Sequence, residues 1–491
     1  MSTNENNSVV TRFAPSPTGF MHIGGIRTAL FAYLWARKNN GIFILRIEDT
    51  DKEREVAGSM EHITESLHWL GINWDFGPEN PGPFGSCIQS ERLDTYLKIA
   101  HDLVERGLAY PDPYTQGELD GFRTKAEAER RPLLMREHRP DTFAIWDGKA
   151  PLRFKVPEIK RFKWHDEVRG DLEAGEESVD DFIIIKSDGF PTYNFAHIID
   201  DEAMGVTHIF RGDEFISSTP RFLALYEALG ITPPKFVALP PILRADKTKK
   251  LGKRDGAKDI LEYRTEGYLP DAMVNFLALI GWNPGTEQEL FDREALLQAF
   301  DISRIQIHGG VFNEEKLQWL NREYLLKLSD SDFYAYIAPA LQDALGKRNI
   351  AVTETVARKL TSVIRERINV SGDIATMAQE GEFDLYFADP TIEQSKLPTK
   401  NESMTDVKRH LTHVRGQVAA LDDDITNDPE KIKAALWDYA TQEGRGNVLW
   451  PLRYALTGRE RSPDPFIVAS IIGKDIALRR IDNALRALDP V

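Results

Sequence analysis

The spacing of apolar residues near the start of the chain predicts a strand, a helix and a second strand. Residues 9–14 (VVTRFA) are β-prone and lead into a loop rich in proline and glycine. Residues 25–40 then carry apolar side chains at helical spacing, and a β-branched run follows at 42–47. Residues 9–49 are therefore predicted to form a βαβ unit with parallel strands, and ligands bind at the carboxyl ends of such strands.

Two further amphipathic segments, 54–70 and 90–106, predict helices that cover the sheet. Ser90 is a typical N-cap residue, and Gly107 is typical of the position that follows a helix C-terminus. We therefore expect the second of these helices to begin at Ser90 and to end just before Gly107.

The pattern changes over 109–180, where proline clusters, charge runs and short aromatic strands indicate an insertion that folds apart from the sheet. An apolar strand at 182–186 marks the return of alternating strands and helices. From Tyr268 onward the periodicity is helical, so the C-terminal part is predicted to be all-α. Its clearest helical segments are 295–299, 314–328, 351–367, 404–421 and 431–439.

The composition is typical of a folded protein with more than one core. The 491 residues exceed the usual size of a single domain. Apolar residues make up 42% and charged residues 28%, which excludes a disordered or collagen-like chain. The formal charge of −16 argues against broad nonspecific affinity for nucleic acid, although a local basic face on an acidic protein can still bind RNA.

Cys87 is the only cysteine, so an intramolecular disulfide and a zinc site built from several thiolates are both excluded. The polar N-terminal segment lacks the apolar core of a signal peptide, and no apolar run reaches the roughly 20 residues of a membrane-spanning helix. We therefore expect a cytoplasmic protein without membrane attachment.

Two segments carry the residue types of a phosphate-binding site. Residues 15–25 (PSPTGFMHIGG) run from a strand end into a helix start, where glycines allow close backbone approach and His22 adds a hydrogen-bond donor. Residues 247–256 (KTKKLGKRDG) are basic and suited to neutralising the charge of a nucleoside triphosphate. Alone, the first could be a plain loop and the second a solvated charge run. Their occurrence together favours a nucleotide site.

Together the two segments resemble the HIGH and KMSKS signatures of class I aminoacyl-tRNA synthetases. Five ordered motifs are similar to those of the bacterial-type glutamyl-tRNA synthetase family, and weaker similarity continues through 448–458 and 471–481. The five motifs are RFAPSPTG at 12–19, LRIEDTD at 45–51, DGFPTYNFAHIIDD at 188–201, MGVTHIFRGDE at 204–214 and KLGKRDGA at 250–257.

The resemblance implies a multidomain chain. It implies an α/β, Rossmann-like class I synthetase catalytic domain with an α+β insertion, followed by an all-α C-terminal anticodon-binding domain. The expected boundaries are 1–110 for the first half of the catalytic domain, 111–180 for an inserted module that binds the tRNA acceptor end, 181–240 for the second catalytic half, 241–325 for the KMSKS-like loop and a stem-contact region, and 326–491 for the helical anticodon-binding region.

The activity that the resemblance implies is ATP-dependent conversion of L-glutamate to glutamyl-adenylate and its transfer to the terminal adenosine of tRNA(Glu). ATP and Mg²⁺ are the implied cofactors. Zinc is not expected, because residues 110–114 (YPDPY) lack the thiols that hold it in some relatives. We expect a monomer. The sequence leaves open whether tRNA(Gln) is also charged and whether activation requires bound tRNA.

The resemblance also assigns site residues. It implies that the guanidinium of Arg12 or Arg211 grips a glutamate carboxylate and that Glu48 holds the ammonium group, so that selection against glutamine is electrostatic. Without the resemblance, Arg12 would be a surface arginine and Glu48 a partner of Arg46 or Arg54. The implied catalytic residues are His22, Lys253 and Arg254; the implied ATP-binding residues are His22, Gly24, Gly25, Gly212, Lys250 and Lys253; and the implied glutamate-binding residues are Arg12, Ala14, Ser16, Glu48, Tyr193, His197, Arg211 and Glu214, with no residue assigned to a metal.

Three positions depart from the family pattern. Gly25 stands where the general HIGH motif has its second histidine, so no role of that imidazole carries over. Gly252 stands where the KMSKS motif commonly has serine, which removes a hydroxyl donor. His197 stands where some relatives have asparagine, and it could equally be a packed histidine at a strand end.

Candidate tRNA contacts occur in two regions. Basic residues of the insertion surround Phe162 and Trp164, which are suited to stacking on a single strand, whereas a solvated helix explains the segment AEAERR equally well. The insertion candidates are Arg123, Lys125, Arg130, Arg131, Arg136, Arg139, Lys160, Arg161 and Lys163. The candidates for anticodon contacts are Arg445, Arg453, Arg459 and Arg461.

Other functions remain possible alternatives at this point. A glutaminyl-tRNA synthetase is disfavoured by the PSPTG form of the first motif and by the helical C-terminal part. A truncated tRNA-modifying paralogue would lack that C-terminal part, and a small-molecule nucleotidyltransferase with a HIGH motif would leave it without a purpose. An inactive RNA-binding paralogue is disfavoured because His22, Lys253, Glu48 and Arg211 are all retained.

Overall fold

A computed structural model of the chain describes residues 8–252, 258–399 and 402–488. Lys253 and Arg254, both assigned to the catalytic site above, lie outside the described residues. The chain divides into two compact units, Met1–Leu320 and Asn321–Val491.

The first unit is an α/β structure. Its strands are β1 (Val10–Phe13), β2 (Ile42–Leu45), β3 (Ala109–Pro111), β4 (Leu152–Phe154), β5 (Phe162–Asp166), β6 (Gly170–Ala174), β7 (Phe182–Ile185), β8 (His208–Gly212), β9 (Lys235–Leu239), β10 (Ile242–Leu243) and β11 (Gly310–Val311). Its helices are α1 (Ile23–Lys38), α2 (Ser59–Trp69), α3 (Leu93–Glu105), α4 (Gln116–Ala128), α5 (Tyr193–Ala203), α6 (Thr219–Leu229), α7 (Ile260–Glu266), α8 (Pro270–Leu279), α9 (Arg293–Ala299) and α10 (Glu314–Lys327), the last of which extends into the second unit.

The predicted βαβ unit is confirmed. Strands β1 and β2 pair in parallel, with Arg12 opposite Ile44, and α1 connects them. His22 is the N-cap of α1, because its Nδ1 accepts a hydrogen bond from the Gly24 amide at 3.1 Å. The main sheet has the order β2-β1-β8-β9-β5-β6, and its first five strands are joined by parallel pairings. The carboxyl ends of β1, β2 and β8 therefore lie side by side, where ligands are expected.

The segment 109–180 does not fold apart from the sheet as expected. Its hairpin β5–β6 joins the main sheet, because Asp166 of β5 pairs in parallel with Phe236 of β9. Strands β3 and β4 instead form a second sheet with β7, which was assigned to the returning catalytic domain. Aromatic side chains such as Phe154 and Phe182 share one hydrophobic core with α5 and α6. The insertion and the main sheet are thus stabilised by burial of the same apolar surface.

Two predicted helix starts are wrong. The helix predicted over 54–70 begins only at Ser59, after Gly58, whose φ of 76° is outside the helical region. The helix predicted over 90–106 begins at Leu93, because Ser90 is used elsewhere: its hydroxyl donates to Asp49 at 2.5 Å. The predicted end of this helix is confirmed, since Gly107 follows it with a φ of 66°.

The second unit consists of helices in the part of the chain that the structure describes, as the periodicity predicts. The helices are α11 (Asp330–Gly346), α12 (Glu354–Arg365), α13 (Asp373–Gln379), α14 (Asp384–Phe387), α15 (Met404–Ala420), α16 (Asp423–Thr426), α17 (Pro429–Glu443), α18 (Arg445–Thr457), α19 (Pro465–Ile472) and α20 (Lys474–Ala487). Among the described helices of both units, none combines the length and the apolar character needed to cross a bilayer.

Candidate active site

A buried network of charges connects the strand ends of the first unit. Asp201, in the last turn of α5, accepts hydrogen bonds from Arg12 Nε at 3.0 Å and from Arg46 Nη1 at 2.7 Å. All three side chains are almost fully buried. Burial alone would raise the pKa of Asp201, but the charges of Arg12 and Arg46 hold it well below its usual range. The carboxylate is therefore ionised and fixes both guanidinium groups.

Arg12 is committed to this network. Its Nη2 also donates to Asp201, at 3.3 Å, and its Nη1 donates to the Phe210 carbonyl at 3.4 Å. The planar fork that could have gripped a substrate carboxylate thus faces a carboxylate of the protein itself. Arg12 is therefore already paired within the protein, and the choice left open between Arg12 and Arg211 depends on the surroundings of Arg211.

Glu48 lies just after β2 and is paired with Arg46, one of the two partners considered from the sequence. Arg46 donates to Glu48 Oε1 from Nη2 at 2.9 Å and from Nε at 3.3 Å. Burial raises the pKa of Glu48, against the opposing effects of the Arg46 and Arg12 charges. Both bonds end on Oε1, and Glu48 also lines a cavity. The residue can therefore be part of the network and still contact a ligand.

Arg211, near the end of β8, is a buried guanidinium without an ion-pair partner among the described residues. Its Nη2 donates to Thr219 Oγ1 at 3.0 Å, whereas its Nη1 is buried and has no hydrogen-bond partner in the described structure. The rings of Phe222 and Phe236 lie 5.0 Å from its central carbon. Burial lowers its pKa, but arginine stays protonated at neutral pH. The arrangement leaves a positive charge that a ligand anion can neutralise.

Two more buried polar atoms near Arg211 also lack partners among the described residues: Nε2 of His197 and the hydroxyl of Tyr226. His197 stacks on Tyr193 with ring centroids 4.6 Å apart, and its Nδ1 contacts the Tyr193 carbonyl at 2.7 Å. Burial lowers the pKa of His197 to about 3, so the ring is neutral at pH 7. Because Nδ1 must donate to the carbonyl, Nε2 carries no proton and can only accept.

A cavity of about 220 Å³ lies at the ends of these strands. Three of the predicted glutamate-binding residues, Ser16, Glu48 and Tyr193, line it. Ala14 is half-buried between β1 and the following loop, and His197 is fully buried one helical turn from Tyr193. Burial raises the pKa of Tyr193, so its hydroxyl is a donor at neutral pH.

A second cavity, of about 300 Å³, lies beside the start of α1. Every described residue that was predicted to bind ATP lines this cavity: His22, Gly24, Gly25, Gly212 and Lys250. A Cβ on residue 25 would overlap the terminal methyl group of Met21, the flexible end of a side chain that can move aside, so this contact alone does not require glycine there.

The structure brings the two distant signature segments together. His22 forms an antiparallel bridge with Asp259, just after the second segment, while Lys250 and Gly252 from the start of that segment line the same cavity as His22. Glu214, predicted for the glutamate pocket, lies at this second cavity, where Lys250 Nζ is 3.3 Å from its carboxylate.

The sequence analysis missed several residues that line or shape these sites. Arg27 lines the second cavity, buried in α1, and donates to the Ile280 carbonyl at 3.1 Å. Burial lowers its pKa to about 10. An arginine on the apolar face of α1, one turn after Gly24, was the available signal. For Asp201, the signal was a pair of acidic residues ending an otherwise apolar helix, and for Tyr226 there was no comparable signal.

The residues predicted to contact tRNA differ from one another in burial and in ion pairing. Phe162 is 4% exposed and part of the hydrophobic core, so its predicted role in stacking on RNA is wrong. Several cations of the insertion are paired with acidic residues, for example Arg139 with Asp181 at 2.6 Å. In the C-terminal unit, Arg459 and Arg461 line a cavity of about 570 Å³ between helices.

The described residues contain no group of three or more histidine, cysteine, aspartate or glutamate side chains arranged to hold a metal ion. The acidic side chain that lines the second cavity is Glu214, which already faces Lys250. This donor set fits a magnesium ion held mainly by phosphate oxygens rather than by a cage of protein ligands.

Comparison with known protein families identifies the class. Residues 8–319 match the family described as tRNA synthetases class I (E and Q), catalytic domain, and residues 319–485 match the family described as anticodon binding domain. The chain therefore belongs to the class I tRNA synthetases, in agreement with the parallel sheet, the paired signature segments and the helical second unit.

Individual relatives define the enzyme more closely. The chain is 41% identical over 486 residues to the glutamate–tRNA ligase of Anaeromyxobacter sp., covering 97% of this chain and 98% of the relative. It is 40% identical over 494 residues to that of Carboxydothermus hydrogenoformans, with 97% and 99% covered. A crystal structure of a glutamate tRNA ligase from Elizabethkingia meningosepticum, in complex with its amino acid, superimposes with a TM-score of 0.84 at 33% identity and covers 98% of this chain and 100% of that one. The chain belongs to the glutamate–tRNA ligase family.

Proposed function

We propose that the two cavities of the first unit bind the two small substrates of a glutamate–tRNA ligase, one substrate in each cavity. The cavity lined by Ser16, Glu48 and Tyr193, together with the buried atoms of Arg211, binds L-glutamate. The cavity beside His22 binds ATP. The observation that carries this assignment is the buried guanidinium of Arg211, whose Nη1 has no partner in the described structure.

The electrostatics of the first cavity support glutamate over glutamine. A carboxylate placed against Arg211 forms a charge-assisted hydrogen bond in a site with little water, whereas the neutral amide of glutamine would leave the guanidinium charge uncompensated. Arg12 supports the pocket through Asp201 rather than by gripping the substrate. Glu48 accepts the substrate ammonium at the mouth of the pocket while it keeps its bonds to Arg46.

The second cavity supplies the groups that an ATP site needs. Because His22 Nδ1 accepts the Gly24 amide hydrogen, the other ring nitrogen carries the proton, and we assign it to donate to a phosphate oxygen. Lys250, and Lys253 and Arg254 of the basic segment, neutralise charge on the phosphates as the reaction proceeds. Mg²⁺ accompanies the ATP phosphates. Glu214 and Gly212 lie at the same cavity, and we assign them to its wall.

The chemistry requires positioning and charge neutralisation and no protein nucleophile. An oxygen of the glutamate α-carboxylate attacks the α-phosphorus of ATP. The bond between the α-phosphorus and the oxygen that bridges it to the β-phosphorus breaks, and pyrophosphate leaves. The resulting glutamyl-adenylate is then attacked at its carbonyl by a hydroxyl of the terminal adenosine of tRNA, which loses its proton, and AMP leaves. Both substrates must therefore lie with their reacting atoms next to each other.

For tRNA, the C-terminal unit offers a candidate site for the anticodon. The cavity lined by Arg459 and Arg461 is bordered by Phe383 and Tyr386, which are 1% and 5% exposed and therefore too buried to stack on a base. The two cations beside this recess suit the phosphates of an RNA loop. Arg445 stacks on Trp437 at 4.4 Å, which provides a surface that is both cationic and aromatic.

We further propose that the enzyme works in the cytoplasm as a monomer. The support for the location is the single cysteine, Cys87, which is buried and suited to a reducing compartment. Sedimentation of the purified chain at micromolar concentration tests the monomer, and a dimer peak would contradict it.

ATP–pyrophosphate exchange with glutamate or with glutamine, each with and without tRNA(Glu), tests the proposed reaction. We expect exchange with glutamate and none above background with glutamine. Exchange with glutamine alone would overturn the substrate, and no exchange under any condition would mean an inactive paralogue. Aminoacylation of purified tRNA(Glu) and tRNA(Gln), one at a time, then determines whether the enzyme discriminates between the two tRNAs.

A further inference from the structure

The loop between β1 and α1 is fastened to the segment that follows β2 by bonds at alternate residues. Each bond joins a main-chain group of the loop to the segment that ends in α2. The first three bonds run to Pro15 O from the Glu48 amide at 3.0 Å, to Pro17 O from the Val56 amide at 2.9 Å, and to Gly19 O from the Ser59 hydroxyl at 3.0 Å.

His62 of α2 continues this series. The Met21 amide donates to His62 Nδ1 at 3.3 Å, and Phe20 stacks on the imidazole with ring centroids 4.6 Å apart. The His62 side chain is only 10% exposed. The ring thus lies against Phe20 and Met21, which directly precede His22, the N-cap of α1.

The second ring nitrogen of His62, Nε2, contacts Asp259. Nε2 lies 2.8 Å from each carboxylate oxygen of Asp259, which is three positions after the basic segment 247–256 in the sequence. Since Nδ1 accepts the Met21 hydrogen, Nε2 carries the proton and donates to the carboxylate. Asp259 is also the N-cap of α7, because its Oδ1 accepts the Leu261 amide at 2.8 Å.

The main chain joins the same two segments. His22 and Asp259 form an antiparallel bridge, and the Ile260 amide donates to the Met21 carbonyl at 3.0 Å. The His62 imidazole therefore contacts both sides of a junction, where the loop between β1 and α1 meets the residues that follow the basic segment. The first half of the basic segment is held separately, since the Leu251 amide donates to the Ile242 carbonyl at 2.7 Å.

We propose that His62 is a positioning residue of the adenylation reaction, which sets the distance between the His22 loop and Asp259, a residue shortly after the basic segment 247–256. The proposal rests on the proposed function, since it assumes that these segments bind ATP. His62 acts through Met21 and Asp259 and does not contact substrate. A displacement of about 1 Å between groups that hold one triphosphate is enough to cost up to about a hundredfold in rate.

Two substitutions of His62 test its contact with Met21 and its contact with Asp259 separately. In His62→Asn the amide oxygen takes the place of Nδ1 and can accept the Met21 hydrogen, but the side chain is too short to reach Asp259. In His62→Gln the amide nitrogen takes the place of Nε2 and can donate to Asp259. His68→Asn is the matched control, because His68 lies on the same helix and stacks on Trp74 at 4.6 Å, away from both segments.

The experiment measures ATP–pyrophosphate exchange and amide hydrogen exchange at Ile260 in the full-length enzyme. We expect His62→Asn to lower kcat/KM for ATP at least tenfold, to leave the KM for glutamate within about twofold, and to speed exchange at Ile260. His62→Gln should retain most of the activity, and His68→Asn should match the wild type in both measurements.

Equal losses in the Asn and Gln variants, or a similar loss in His68→Asn, would overturn the proposal, because only general packing would then matter. Faster exchange at Ile260 with an unchanged kcat/KM for ATP would overturn it as well, since the contact would then be structural alone. A wild-type enzyme without glutamate-dependent exchange would refute the proposed function instead, and hydrogen exchange at Ile260 would still report whether His62 joins the segments.

Discussion

At the scale of single residues, the proposed glutamate pocket depends on buried polar atoms that the fold leaves without partners. Arg211 Nη1, His197 Nε2 and the Tyr226 hydroxyl are buried and have no hydrogen-bond partner among the described residues. Such groups are costly to bury, and native proteins keep them where a ligand or a water satisfies them. The neighbouring Arg12, in contrast, is fully paired with Asp201.

Tyr226→Phe tests whether its hydroxyl belongs to the glutamate pocket. We expect the KM for glutamate to rise about three- to tenfold, corresponding to the loss of one hydrogen bond, with the KM for ATP unchanged. Thermal unfolding should be unaffected or slightly improved, because the hydroxyl has no partner in the described structure. In the control variant Tyr96→Phe, which loses a 2.8 Å bond to Asp200, Tm should fall. An unchanged KM in Tyr226→Phe would remove Tyr226 from the pocket.

Single-residue chemistry was only partly predictable from the sequence. Arg211 and Glu48 were assigned to the site because a family motif surrounds each of them; the structure places both in buried positions near strand ends, and their binding roles stay predictions. That Arg12 would face Asp201, 189 positions further along, could not be predicted, since the partner is set by the packing of α5 against β1. Tyr226 looked like any other apolar position of its helix.

At the scale of elements, the acidic end of α5 holds four parts of the unit together. Asp200 accepts hydrogen bonds from Arg92 Nε at 2.7 Å and from the Tyr96 hydroxyl at 2.8 Å, while Asp201 binds Arg12 and Arg46. The two carboxylates thereby connect α5 to β1, to the end of β2 and to α3. The positions of Arg12, Arg46 and Arg92 therefore depend on this helix end.

Asp201→Ala tests the network. Removing Asp201 leaves the buried guanidinium of Arg12 without its charged partner and leaves Arg46 paired with Glu48, so we expect the free energy of unfolding to fall by about 3 to 5 kcal/mol. Chemical denaturation of the full-length chain measures this loss. Asp102→Ala is the control: its pair with Arg106 is exposed, with a contact of 3.0 Å, and its loss should cost less than about 1 kcal/mol. Similar losses in both variants would contradict the account.

Elements with strong periodicity were predictable, and their partners were not. The parallel pair β1 and β2 and the helices of the second unit follow from local patterns of apolar residues. The pairing of β5 with β9 does not, because hydrogen bonding between distant strands leaves no local trace in the sequence. Ser90 shows a related limit, since a good N-cap residue can bind a distant carboxylate instead.

At the scale of the whole molecule, two compact units with separate cores are expected to unfold in separate steps. Two buried histidines lie in the first unit. Burial lowers the pKa of His197 to about 3 and that of His208 to about 4, both from an ordinary value of 6.5. Between these values and pH 6.5 the unfolded chain binds protons that the folded unit does not, so stability falls as the pH falls.

His208→Gln isolates one of these contributions outside the proposed site. Relative to the variant, the wild type should lose stability by at most about 1.4 kcal/mol per pH unit between pH 6.5 and 4, and the loss should affect the first unit alone. Urea unfolding at a series of pH values, followed by hydrogen exchange in each unit, measures it. Parallel stability curves for the wild type and His208→Gln would contradict this prediction, because His208 would then bind its proton at the same pH in the folded and unfolded states.

The most direct test of the central claim, that an unpaired buried arginine selects the substrate, is ATP–pyrophosphate exchange by Arg211→Gln compared with the wild type. We predict that kcat/KM for glutamate falls by about two to three orders of magnitude, because the substrate carboxylate loses its charged partner, while the KM for ATP stays within about twofold. Arg92→Gln, which removes a buried arginine bound to Asp200, controls for general damage to the fold. Unaltered glutamate kinetics in Arg211→Gln would contradict the account.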